Sequence, residues 1–113
     1  MDFEAPNLPQ AEIDRRRYRR VKLVAQVLCE ALERNEVVAT RDVSSGGMFL
    51  DVKFPLPLAS ELTITFRLRP KDPPLTCRAV VKFSRVDVGM GIEFVDLGEE
   101  ARQLIERFVE EAP

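Results

Sequence analysis

Residues 62–68 constrain this chain most: Leu62, Ile64, Phe66 and Leu68 are apolar, and Thr63, Thr65 and Arg67 between them are polar. Successive side chains of a strand point to opposite faces, so this alternation marks a strand with one dry face and one wet one. The signature recurs along the chain. Val21, Leu23, Ala25, Val27 and Cys29 share one face against Lys22, Gln26 and Glu30, and Leu75, Cys77, Ala79, Val81 and Phe83 form another. Shorter runs occupy Val37–Thr40, Met48–Val52 and Met90–Phe94. Six short strands are therefore expected. Polar Glu33–Glu36 predicts a hairpin turn, Asp42–Gly47 a turn with two glycines, and Val86–Gly89 a bend. Pro55 and Pro57 end the third strand, and Pro70–Pro74 is a loop.

The C-terminal stretch changes period. Ala101, Leu104, Ile105, Phe108 and Val109 fall at helical spacing with charges on the other face, which predicts one amphipathic helix over 98–110. Its apolar stripe needs a cover, either a barrel mouth or a sheet face. Strand number and turn spacing fit an antiparallel barrel or a sandwich. The length of 113 residues suits one domain that buries its own core. Cys29 and Cys77 fall in apolar runs and read as reduced core thiols, not as a disulfide or a metal pair. No apolar run approaches the ~18 residues of a spanning helix. There is no leader-like apolar stretch near Met1, so a cytoplasmic protein is expected.

Charge is distributed unevenly. Positions 15–22 read RRRYRRVK, with six basic residues and no acidic one, while the rest of the chain holds 11 basic and 19 acidic groups. A cluster of +6 repels itself, so it exists to meet an anion: a nucleotide, a nucleic acid, an acidic membrane or an acidic partner. Arginine predominates in the cluster, and its planar fork matches a phosphate edge or the O6/N7 edge of guanine. Residues 1–14, with two prolines and no apolar periodicity, are expected to form a mobile tail before this arm.

Catalysis finds little support. The chain has no histidine, neither cysteine has an activating neighbour, and no nucleophile motif or metal-ligand spacing occurs. A binding protein without a metal or other cofactor is expected. The turn Asp42-Val43-Ser44-Ser45-Gly46-Gly47 offers a carboxylate that can accept from guanine N1–H and N2–H. Its serine hydroxyl can donate to a phosphate or accept from a base. Its glycines would permit positive φ and close approach to backbone N–H groups.

Together the two elements resemble the PilZ domain family, whose pattern is Arg-x-x-x-Arg before the first strand and Asp/Asn-x-Ser-x-x-Gly some twenty residues later. Arg16 and Arg20 fit the first element, Arg20 lying directly before Val21; Arg15 and Arg19 fit the same spacing. Asp42, Ser44 and Gly47 fit the second. Gly46–Leu50 and Gly89–Phe94 are also similar to the family's strands, so the resemblance covers about residues 14–109. It implies a mainly β fold, a six-stranded antiparallel barrel over 21–95 with a C-terminal helix over 98–110, within a domain of residues 15–110. It also implies cyclic di-GMP as ligand. Arg16 and Arg20 would grip phosphates and guanine edges, and Asp42, Ser44 and Gly47 would cradle a guanine. Arg15, just before the first motif arginine, would stack on an extra guanine and favour two ligand molecules per site. Without ligand the self-repelling arm 15–20 should be loose; binding should fold it and present a surface to a protein partner. The processes implied are motility, polysaccharide secretion or virulence. Two other readings remain: an adaptor of the same fold that binds protein but no nucleotide, and a nucleic-acid binder acting through the arm. The acidic remainder of the chain opposes the last.

Overall fold

The computed structural model describes residues 19–113; the expected tail 1–14, and Arg15 and Arg16 of the arm, lie outside the described residues. The strands are β1 (Val21–Ala31), β2 (Arg34–Val43), β3 (Gly47–Asp51), β4 (Glu61–Phe66), β5 (Leu75–Arg85) and β6 (Gly89–Phe94), followed by the helix α1 (Glu99–Glu111). They close into an antiparallel barrel in the order β1-β2-β3-β6-β5-β4, which decides between barrel and sandwich. Alternation sets the inside. Val21, Leu23, Val27 and Cys29 of β1, Leu62, Ile64 and Phe66 of β4, and Leu75, Cys77, Ala79 and Val81 of β5 are all buried in one core.

Closure needs curvature. Register shifts between Lys22 and Ala25, Thr40 and Asp42, and Val81 and Phe83 provide it, since an extra residue on one strand bends and twists the pair. The seam is short: β1 and β4 pair only at Leu28↔Thr65, Cys29↔Ile64 and Glu30↔Thr63.

One expected turn is tighter than the sequence suggests. Arg34, Asn35 and Glu36 belong to β2, opposite Ala31, Glu30 and Cys29, and the reversal takes only Leu32 and Glu33. Polar residues suit the wet face of a strand as well as a turn, so polarity alone did not locate the bend.

Every strand pair is antiparallel, so the starts of β1, β3 and β5 and the ends of β2, β4 and β6 share one end of the barrel. The helix leaves β6 at that end and closes it. Ile105 is fully buried in the core, with Ala101, Leu104, Phe108 and Val109 packed around it; burying one such side chain contributes about 1.5–3 kcal/mol. Gly98 caps the helix without a side chain, and its carbonyl accepts from Arg102 N–H at 2.9 Å. The first turn carries Glu99 and Glu100, which suits the positive end of the helix dipole, but the last turn holds no basic residue.

Both cysteines are free and buried. Burial, with Glu36 adding and Arg34 opposing, pushes the Cys29 thiol up to about 12; burial and then Asp96 push Cys77 up to about 11. Neither is a nucleophile at neutral pH. Among the described residues no helix is long and apolar enough to cross a membrane.

Candidate functional site

The helix-covered end of the barrel carries those of the singled-out polar groups that fall among the described residues. Arg20 precedes β1, Asp42 lies near the end of β2, and Ser44–Gly47 joins β2 to β3. Antiparallel pairing of β1 and β2 brings residues 22 positions apart onto one rim. There Arg20 Nη1 donates to Asp42 Oδ1 at 2.7 Å, and both side chains are about a third exposed. The bulge between Thr40 and Asp42 re-aims this part of β2. Thr40, buried on the other face, donates its hydroxyl to Phe49 O at 2.7 Å or Asp42 O at 3.0 Å and so fixes the backbone on which Asp42 stands.

The turn is built around Ser44. Its side chain is buried, and its Oγ accepts from the N–H groups of Gly46 (3.1 Å) and Gly47 (3.2 Å), while its own N–H donates to Gly47 O at 2.9 Å. A serine hydroxyl that accepts two backbone N–H groups mimics a tighter turn of the chain. Ser44 and the two N–H groups expected to face a ligand are thus taken up in shaping the loop. The turn is pinned to β6 by Phe94 N–H donating to Gly46 O at 2.9 Å.

Gly47 has a different reason from the expected one. Among the described glycines only Gly89 has positive φ. A Cβ on Gly47 would lie 2.0 Å from Ile92 O and 3.2 Å from Glu93 Cα. Glycine is needed because β6 passes against this backbone, not for left-handed torsion angles.

The neighbouring arginine turns the other way. Arg19 Nη1 donates to Val109 O at 2.9 Å, and its Nη2 reaches Ala112 O and Pro113 O at 3.5 Å. It therefore supplies the cation that the last turn of α1 lacks. Arg69, from the loop after β4, adds a second, pairing with Glu111 at 2.8 Å and lying 4.8 Å over the Phe108 ring. The sequence favoured Arg20 over Arg19 for the motif because Arg20 stands directly before Val21. The structure sets Arg20 against the turn motif and Arg19 against the helix. Acidic Glu110 and Glu111 at the negative end of a helix dipole were the sequence signal that a cation must come from elsewhere.

Asp96, just beyond β6, accepts from both the backbone N–H (2.7 Å) and Nε (2.8 Å) of Arg78. Those bonds hold its carboxyl below the usual range. The pair stitches the chain after β6 to β5 and fixes the start of the path into α1. Among the described residues no group of three His, Cys, Asp or Glu side chains comes close enough to hold a metal.

The model of the PilZ domain family matches residues 14–111. No curated sequence matches the chain. Among solved structures, it is similar to the Bacillus subtilis inhibitor of motility MotI/DgrA (TM-score 0.71, 18% identity, 85% of this chain covered). The match spans about half (49%) of that longer protein. It is also similar to the PilZ domain of CeSA from a cellulose-synthesizing bacterium (TM-score 0.59, 18% identity, covering 80% of this chain and 94% of that one). A third similar structure is the PilZ domain of YcgR from Escherichia coli with c-di-GMP (TM-score 0.61, 17% identity, covering 87% and 91%).

Proposed function

Since the chain belongs to the PilZ domain family, we propose that it is a cyclic di-GMP sensor whose arginine arm rearranges on binding and signals to a protein partner. The observation that carries this reading is the meeting of Arg20 and Asp42 at 2.7 Å beside the Ser44 turn. An arginine and a carboxylate on one rim are complementary to guanine, which offers acceptors at O6 and N7 and donors at N1 and N2. The two groups satisfy each other until guanine replaces each with a better-matched partner. A partly exposed ion pair is worth only about 0.2–1 kcal/mol, whereas a hydrogen bond to a charged group contributes about 1.5–3 kcal/mol. The exchange therefore runs toward the ligand. Arg16 and Arg15 would add contacts to phosphate and to an extra guanine, giving two ligand molecules per site. Ser44 and Gly47 act through the shape of the turn.

The output follows from the chain itself. Arg20 leads directly into Arg19, which holds the end of α1. Drawing Arg20 onto a guanine pulls on that grip and exposes the last turn of the helix to a partner. On this reading the protein is a binding module of the cytoplasm and not a catalyst. The likeness to an inhibitor of motility makes motility the first process to examine.

Calorimetric titration with cyclic di-GMP tests the proposal. The expected result is micromolar or tighter binding, with about two ligands per chain, weakened in Arg20→Ala and in Asp42→Ala. A wild-type protein that does not bind the nucleotide would overturn it and leave the adaptor reading.

A further inference from the structure

The outer face of β1 carries a stripe that runs away from the rim site, starting at Lys22, which stands across from Asp42 on β2. Its outward residues are Lys22, Val24, Gln26, Leu28 and Glu30, alternating with the buried ones. Val24 is 77% exposed, Leu28 37%, and Val37, opposite Leu28 on β2, 57%. With Gln26, Thr65 and Arg67 they line a shallow groove of about 610 Å³ beside the short β1–β4 seam. Adjacent apolar side chains on a wet sheet face mark a contact surface more often than an isolated one does.

The order of the stripe identifies the occupant. Read outward from Gln26, it has an aliphatic residue on each side, then Lys22 at one end and Glu30 at the other. A partner of uniform charge would attract one end and repel the other. A stripe with the reverse charge order fits both, and an antiparallel copy of this strand is such a stripe. We propose that this face is a self-association surface, on which two copies pack β1 against β1 across a two-fold axis through Gln26. Lys22 then meets Glu30 of the second copy, Val24 meets its Leu28, and each contact occurs twice, as an isologous interface requires.

The geometry permits it. Packed sheets cross at about 30°, so residues four positions from the axis, about 13 Å away, are displaced sideways by about 7 Å. Lysine and glutamate are long enough to span that offset. The footprint of β1 with its two neighbours is about 36 Å by 14 Å, or ~500 Å² per copy, below the ~800 Å² of a standard interface. The dimer is therefore weak and reversible. This inference does not rest on the nucleotide reading.

Sedimentation velocity of the full chain without nucleotide, from ~10 μM to ~1 mM, tests it across the range expected of a small interface. The wild type should shift from monomer to dimer with concentration. Lys22→Glu and Glu30→Lys each set like charges together twice and should raise the dissociation constant about tenfold or more. Circular dichroism should show both variants folded, since both positions are exposed. The two variants mixed in equal amounts should associate again, and so should the double variant, because both arrangements restore opposite charges at each end. A chain that stays monomeric throughout would overturn the proposal and leave the stripe to a different partner. So would a dimer indifferent to both substitutions, which would use another face.

Discussion

The Arg20–Asp42 pair makes a prediction finer than loss of binding. If guanine replaces each partner, Arg20→Ala removes one ligand contact, costing about 1.5–3 kcal/mol. It also removes the need to open the ion pair, returning about 0.2–1 kcal/mol. The net loss is about 0.5–2.8 kcal/mol, or ~2- to ~100-fold in affinity at 1.4 kcal/mol per decade. Asp42→Ala obeys the same arithmetic. The double variant loses both contacts but recovers the opening cost only once. Its loss should therefore exceed the sum of the single losses by about 0.2–1 kcal/mol, ~1.4- to ~5-fold in dissociation constant. Titration calorimetry on the wild type, both single variants and the double variant measures this excess. Additive or sub-additive losses would refute the reasoning, because they would mean that the ion pair stays closed when ligand binds.

Other consequences concern the scaffold. Ser44→Ala leaves the N–H groups of Gly46 and Gly47 without their acceptor; it should cost about 1–3 kcal/mol and lower the melting temperature by several degrees in calorimetry. Ile105→Ala opens the helix-covered end of the core and should cost about 2–5 kcal/mol in urea unfolding, with the slope unchanged if the helix stays docked. The Cys29 thiol rises from 9.0 to about 12 on folding, so between those values the folded state binds more protons than the unfolded one. Stability from this group is whole below pH 9 and falls as pH rises toward 12. Melting curves across that window should fall less steeply for Cys29→Ala than for the wild type.

The strands were legible because a barrel wall is dry on one side: Leu62, Ile64 and Phe66 could face inward only if Thr63 and Thr65 faced out. Period two does not say which strand pairs with which, so closure waited on the brief β1–β4 contact at Leu28–Glu30. Arg34–Glu36 misled because charge suits a wet strand face as well as a bend. Gly47 was singled out for torsion and for close approach to a ligand, whereas the demand the structure shows comes from Ile92, a contact across 45 positions that no local pattern encodes. Arg20 and Asp42 were legible as chemistry, and the β1–β2 register made them neighbours. Ser44 was legible as a turn residue, but not as the acceptor of two N–H groups from its own loop. The Arg19 contact with Val109 spans 90 residues and left only acidic Glu110 and Glu111, at a helix end with no basic residue of its own, as a trace.

Arg19 and Arg20 are consecutive, and one grips the helix end while the other grips the rim of the site. On the reading proposed above, the two grips form one thermodynamic balance. Whatever factor cyclic di-GMP contributes to freeing the last turn of α1, a protein that captures that turn must return to nucleotide affinity. The concentration of second messenger at which the sensor responds would then not be a constant of the domain alone. It would shift downward wherever the partner is abundant, so that one chain could report different thresholds at different places in the same cell.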